Sequence, residues 1–191
     1  MIYKKILLSW GMLILLQGCF SPRFYVLSTP QASKPLASKS TLSIGVEKVT
    51  LPKYLFKREI AIAKSSSEVV FLSDASWAED IDEGLTKRLV GFFQKKFNQP
   101  HVYLYPWGTH KQPTLKVQVQ ITRFIALNAQ IYLDASYEIE NLKTHKTYAK
   151  LFTTVVNTSM ETSSIVSHMD HAFHLLEEDI ALAIYHFKNP S

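Results

Sequence analysis

Three histidines, His168, His171 and His174, recur every third residue late in the chain. On a helix such positions are near neighbours, so metal ligation by imidazole is the first chemistry to weigh. The surrounding pattern argues for something plainer. At about 100° per residue the three project away from the apolar stripe of Met169, Ala172 and Leu176, which reads them as a polar, solvated helix face. Exposed imidazoles that bind metal without a dedicated pocket are the alternative. The carboxylates Glu79, Asp80, Asp82 and Glu83 are crowded enough for an acid and base pair, but at a helix start they complement the helix dipole. The six glycines stand at 11, 18, 45, 84, 91 and 108, too scattered for a phosphate-cradling loop. The sequence contains neither a Gly-x-Ser-x-Gly elbow nor a His-Glu-x-x-His motif, which removes two common hydrolase signatures. It therefore assigns no catalytic residue, no metal site and no cofactor, and reads as a chain that is not an enzyme.

The single cysteine offers different chemistry. Cys19 follows a basic start (Lys4, Lys5), an eleven-residue apolar run from Ile6 to Leu16, and the tetrapeptide Leu16-Gln17-Gly18-Cys19, which resembles the lipobox of bacterial lipoproteins. That run falls short of the about 20 apolar residues a membrane-spanning helix needs. Residues 1–18 are thus expected to be a cleaved signal peptide, Cys19 the lipidation site, and 19–191 a single domain. An acylated Cys19 leaves no free thiol, which suits an oxidising periplasm. Phe20 in place of Asp after Cys19 resembles the sorting signal of enteric lipoproteins bound for the outer membrane. The expected location is the cell envelope, lipid-anchored and facing the periplasm, on the outer membrane in preference to the inner. Charge points away from nucleic acid. Of 21 Lys and Arg, five precede Glu47 with no acid among them, so the remainder of the chain balances its 16 acids and lacks the basic surplus that phosphate binding requires.

Hydrophobic periodicity then supplies the elements that position these residues. Arg23 to Leu27 reads as a strand beginning about four residues after Cys19, a tether of at most ~14 Å, so the domain is expected to lie against the bilayer. Residues 29–40, rich in Pro, Ser and Lys, read as a loop. Leu42, Ile44 and Val46 alternate as a strand that stops at Leu51-Pro52, and Val69 to Leu72 is another. Ser76-Trp77-Ala78-Glu79 has the spacing of a capping box, predicting a helix from there to about Phe97 with Ile81, Leu85, Leu89, Phe92 and Phe93 facing a core. Val102 and Leu104 open a strand that ends at the Tyr105-Pro106-Trp107-Gly108 turn. Strands over Leu115–Ile121, Ile131–Ile139 and Tyr148–Val156 are expected to form an antiparallel meander. A last helix starts at Thr162 and buries Ile165, Met169, Ala172, Leu176, Ile180, Ala183 and Phe187. The expected fold is α+β: a two-layer sandwich of one mixed, mainly antiparallel sheet covered on one face by two amphipathic helices.

Two loops carry more large apolar groups than loops usually do. They are Leu51-Pro52-Lys53-Tyr54-Leu55-Phe56 and Tyr105-Pro106-Trp107. Either they plug the core from its end, or they form a contact surface for protein or lipid, in which Leu51, Pro52, Tyr54, Leu55, Tyr105 and Trp107 are the candidate partner-binding residues.

Read together, Phe24-Tyr25-Val26-Leu27, Ile44-Gly45-Val46, Leu51-Pro52-Lys53-Tyr54-Leu55, Trp77-Ala78-Glu79, Tyr105-Pro106-Trp107, Arg123-Phe124 and Leu133-Asp134-Ala135 resemble, in order, the segments of the ABC-type transport auxiliary lipoproteins. The chain departs from the family pattern at Phe56-Lys57-Arg58-Glu59-Ile60 and at Ser76. The resemblance implies a noncatalytic, lipid-anchored component of an envelope lipid-transport system, scaffolding or docking an MCE-domain protein and an inner-membrane transporter complex, and it allows ring-like homo-oligomerisation. Two other classes stay open: a periplasmic metal-binding or enzymatic lipoprotein acting through the His168, His171 and His174 face, and a structural lipoprotein that contacts the cell wall.

Overall fold

The computed structural model describes residues 22–27, 35–36, 42–108 and 112–188. Cys19, the expected signal segment and nearly all of residues 29–40, expected as a loop, lie outside them. The described elements are β1 (Arg23–Tyr25), β2 (Ile44–Val46), a 3-10 turn (Lys53–Phe56), β3 (Glu59–Ala63), β4 (Val69–Trp77), α1 (Ile81–Lys96), β5 (Val102–Leu104), β6 (Leu115–Leu127), β7 (Gln130–Asn141), β8 (Thr147–Asn157) and α2 (Thr162–Lys188).

Strand β6 organises the sheet. Strict alternation from Leu115 to Ile121 buries every second side chain, and β7 pairs antiparallel along the whole of it, followed by β8 in the expected meander. A register shift between Ile121 and Arg123 marks a bulge, so alternation resumes out of phase. On its other side β6 is shared. Its first half pairs with β2, which carries β5, and its second half meets β3, which carries β4 and then β1. The parallel pairings (β1 with β4, β2 with β5 and β6, β3 with β6) are short, while the antiparallel ones of the meander run for eleven and twelve residue pairs. The sheet is therefore mixed and mainly antiparallel by paired length.

Both helices cover one face. Ile81, Leu85, Leu89, Phe92 and Phe93 of α1 and Ile165, Met169, Ala172, Leu176 and Ile180 of α2 are all buried in the main core with Ile131, Leu133, Ala135, Tyr137 and Ile139 of β7. The fold is α+β, as the periodicity predicts. The opposite face carries Gln118, Gln120, Asp134, Ser136 and Glu138, together with a small apolar cluster of Ala61, Ala63 and Ile125. Tyr132 lies on this face under the Arg123 guanidinium, 3.9 Å from the ring centroid, in cation–π geometry.

Three local expectations are corrected. The capping box does not form: Ser76 and Trp77 end β4, the Trp77 N–H donates to the Arg58 carbonyl at 2.7 Å, and α1 starts at Ile81 with Asp80 at its cap position. Ala75 and Trp77 alternate into the core, and that burial outweighs a helix start. Strand β3 occupies Glu59–Ala63, where no strand was expected, because its alanines carry little strand propensity on their own. Strand β4 continues from Val69 to Trp77 rather than stopping at Leu72.

Candidate functional site

The two apolar loops converge on the first half of α1. Thr50 is bridged to β6 at Gln120, which drops Leu51 into the core, and Leu55 follows it at the 3-10 turn, closed by the Leu55 N–H on the Pro52 carbonyl at 3.0 Å. Pro52 is half-buried at the cap of that turn. Tyr54 is also half-buried, and its hydroxyl accepts the Phe124 N–H at 3.0 Å, next to the β6 bulge. Burial pushes the Tyr54 phenol pKa up. Leu51, Leu55 and Tyr54 thus close the end of the core. Phe56 does the opposite: it is 58% exposed and shares a groove with Leu55, Trp77, Ile81 and Asp82.

Tyr105 is fixed to β2 by its N–H on the Val46 carbonyl at 2.9 Å, and its ring stands edge-on to Trp107 at 5.0 Å. Trp107 is half-buried against Gly45. A Cβ at Gly45 would meet the Trp107 ring at 2.7 Å and Pro113 at 2.6 Å, so only glycine lets the indole seat there. Tyr105 itself is 55% exposed and Leu104 44%. With Lys48, Glu83, Thr86 and Lys87 they line a cleft of about 250 Å³. The charges along α1 here are already engaged: Lys48 pairs with Asp82 at 2.7 Å and Lys87 with Glu83 at 3.4 Å. Asp82 is buried, and its Oδ1 accepts the Glu83 N–H at 2.8 Å. Asp82 thus takes one first-turn amide of α1 and, with Glu83, pairs with lysines, while Asp80 at the cap position makes no side-chain capping bond. What the cleft presents outward is Leu104 and Tyr105, with Phe56 beyond Asp82 on the other side of α1.

The histidine face divides. His168 Nδ1 lies 2.7 Å from the Ser164 carbonyl and 3.3 Å from Ser164 Oγ. A nitrogen that donates to a carbonyl carries its hydrogen, so Nδ1 cannot also act as base toward the hydroxyl. His171 is exposed. His174 departs from the solvated-face reading, because it packs edge-on to Phe92 of α1 at 5.7 Å and sits 3.6 Å from Glu177 Oε2. The three do not converge, and among the described residues no group of three His, Cys, Asp or Glu is placed to hold a metal ion.

His174 belongs instead to an ion cluster between the helices that the sequence reading missed. Arg88 of α1 is almost wholly buried and reaches fully buried Glu177 of α2 through Nε and Nη2, each at 3.2 Å. It also donates through Nη1 to the Asp170 carboxylate and through Nη2, at 2.9 Å, to the Asp170 carbonyl. Burial pushes the Glu177 carboxyl pKa up, against the pull of His174 and Arg88. His174 is raised mainly by Glu177. At 3.6 Å that contact is longer than a hydrogen bond, and its effect is that of a charge pair. Arg88 three residues after Leu85, and Glu177 three before Ile180, are the signal: both charged groups sit on helix positions that the stripe spacing sends inward.

A family model for the ABC-type transport auxiliary lipoprotein component matches residues 25–181. Among solved structures, the chain is similar to protein XCC0632 from Xanthomonas campestris, of family DUF330, at 13% identity and a TM-score of 0.72, covering 83% of this chain and 92% of that one. It is also similar to an uncharacterised protein at 17% identity and a TM-score of 0.70, covering 86% and 99% respectively. At such identities these two likenesses speak to the fold. Among curated proteins, none matches the sequence.

Proposed function

The chain belongs to the family of ABC-type transport auxiliary lipoprotein components, and from that premise we propose that it is a noncatalytic docking component of an envelope lipid-transport system. In this reading residues 1–18 are removed on export, and acyl chains on Cys19 hold the domain on the periplasmic side of a membrane, the outer one in preference to the inner. Each buried CH₂ of those chains contributes about 0.8 kcal/mol, so a multiply acylated cysteine is a lasting anchor. The partners are an MCE-domain protein and the inner-membrane transporter complex.

The observation that carries the docking role is the exposure of Phe56, Leu104 and Tyr105 around the first half of α1, while Leu51, Tyr54 and Leu55 of the same loops are spent on the core. Large apolar groups left in water beside a rigid helix are what protein interfaces bury first. Trp107, seated on Gly45, and Pro52 hold these groups in place.

The test is photo-crosslinking in intact cells, with a photoreactive amino acid at Tyr105 or Phe56 and a control at Leu182, an exposed position on α2. An MCE-domain protein crosslinked from 105 and 56 but not from 182 supports the reading. Repeated capture of no such protein from either position, with the lipidated chain present at normal level, overturns it. Mass spectrometry of the mature N-terminus tests the anchor separately.

A further inference from the structure

The uncovered side of the β1–β4 edge carries apolar groups that neither the core nor the docking loops use. Phe24 is 61% exposed and pairs with Ser76, which alternates with the core residues Ala75 and Trp77. Its ring therefore turns away from the main core. Phe71 is 42% exposed, alternates with core-packed Leu72, and pairs with Ala61 of the small cluster on the uncovered face. Val69 beside Phe71 and Val26 beyond Phe24 are exposed as well.

The anchor lies within reach of the same groups. Cys19 is four residues before Arg23, and four residues span at most ~14 Å. Arg23 is held by its register with Ala75 and by an ion pair to Asp74 at 2.5 Å. Phe24 is the next residue, and Phe71 is four residues from Ala75 along β4, about 13 Å at ~3.3 Å per residue. The acyl chains thus enter the bilayer within ~14 Å of Arg23, a reach that also takes in these rings. Resting on the lipid-anchor reading above, we propose that Phe24, Val26 and Phe71 form a lipid-contact face that lies in the headgroup region of the leaflet holding Cys19. Apolar groups such as Phe on surface-bound segments bury at the headgroup and acyl boundary, and with the anchor they give the sheet a second point of attachment and hence one orientation. Leu151 of β8 lies on the same face but four strand spacings away from β4, about 19 Å, and stays in water.

The experiment uses the mature, lipidated chain in vesicles of phosphatidylethanolamine and phosphatidylglycerol. Acylation blocks Cys19, so Phe24→Cys, Phe71→Cys and Leu151→Cys each carry one reactive thiol for an environment-sensitive fluorophore, read with quencher groups placed shallowly on the lipids. Labels at 24 and 71 are expected to be quenched about threefold more than the label at 151, as for side chains set about 5–10 Å into the interface. Should Phe24→Cys fail to fold, Val26→Cys replaces it. Equal quenching at the three positions overturns the proposal. So do labels at 24 and 71 that are shielded from aqueous iodide yet untouched by lipid quenchers, because another copy of the chain then covers the patch. If the parent chain itself takes up the fluorophore at Cys19 or leaves the vesicles on an alkaline wash, the anchor reading fails and this inference with it.

Discussion

Replacing Arg88 by Met leaves the Glu177 carboxylate buried with one counter-charge within reach, His174 at 3.6 Å. The cost depends on which group is cheapest to neutralise or charge. At pH 7, protonating an imidazole of ordinary pKa, about 6.5, costs about 0.7 kcal/mol, because each pH unit is worth about 1.36 kcal/mol. With His174→Phe added, the proton must go to Glu177, whose ordinary value is about 4.3, and the same arithmetic gives about 3.7 kcal/mol. Arg88 and His174 should therefore be coupled by about 3 kcal/mol at pH 7, measured against each single variant in a double-mutant cycle. At pH 5 the imidazole is already charged and the carboxyl needs only about 1 kcal/mol to take its proton, so the coupling should shrink to about that. Terms common to both backgrounds, such as lost packing on Phe173 and the Arg88 contacts that Asp170 gives up, cancel in the cycle. The assay is urea unfolding of the mature chain at the two pH values, with m compared among variants to confirm two-state behaviour. A coupling below about 0.5 kcal/mol at pH 7, or one that does not change at pH 5, would show that Glu177 is not the buried charge these distances imply.

Further outcomes follow from single contacts. Gly45→Ala drives a methyl into Trp107 and Pro113, so it should cost about 1–3 kcal/mol as an overpacked site and shift tryptophan emission as the indole leaves its seat. Tyr54→Phe strands the Phe124 N–H beside the bulge and should cost about 1–2 kcal/mol, read as a lower urea midpoint. His174 is raised by Glu177, so the folded chain holds its proton more tightly than the unfolded chain. Its stabilisation is complete below the ordinary histidine pKa and is lost as pH rises through the raised one. The thermal midpoint should therefore fall as pH climbs from about 6 upward, and His174→Phe should flatten that slope.

The elements legible in the sequence are those whose burial repeats with one period over many residues. Leu115 to Ile121, Ile131 to Ile139 and the stripes of both helices are such cases, and the structure places each as read, save that Ala183 and Phe187 at the end of α2 are only half-buried and Ala181 and Ile184 are buried there instead. The failures have local physical causes. Ser76 and Glu79 satisfy a capping pattern, but a cap contributes about 1 kcal/mol, less than burying the Trp77 side chain, so the strand continues. Glu59 to Ala63 is short, alanine-rich and bulged, and it becomes a strand because β4 and β6 supply its partners on both sides. In the candidate site the apolar loops were visible as loops, yet which of their residues face water was not. Leu55 and Phe56 are neighbours of similar hydrophobicity, and only the 3-10 turn sends one inward and the other out.

The unpaired edge of β8 shows how the same chain keeps some surfaces sociable and others not. β8 runs for eleven residues with β7 on one side and, among the described residues, no strand on the other, and Leu151 is 81% exposed. Long edges of this kind invite pairing with another chain. Here Lys150, on the helix-covered face, reaches Asp179 of α2 at 2.6 Å, and the Tyr137 hydroxyl donates to the other Asp179 oxygen at 2.7 Å. An inward charge held by a helix resists the flat stacking that edge-to-edge growth needs, since an added strand would have to accommodate the lysine or break its pair. The prediction is specific: Lys150→Val should leave the monomer's unfolding free energy within about 1 kcal/mol, because an ion pair this exposed contributes little, yet raise light scattering on storage. No rise in scattering would mean that something other than Lys150 guards this edge.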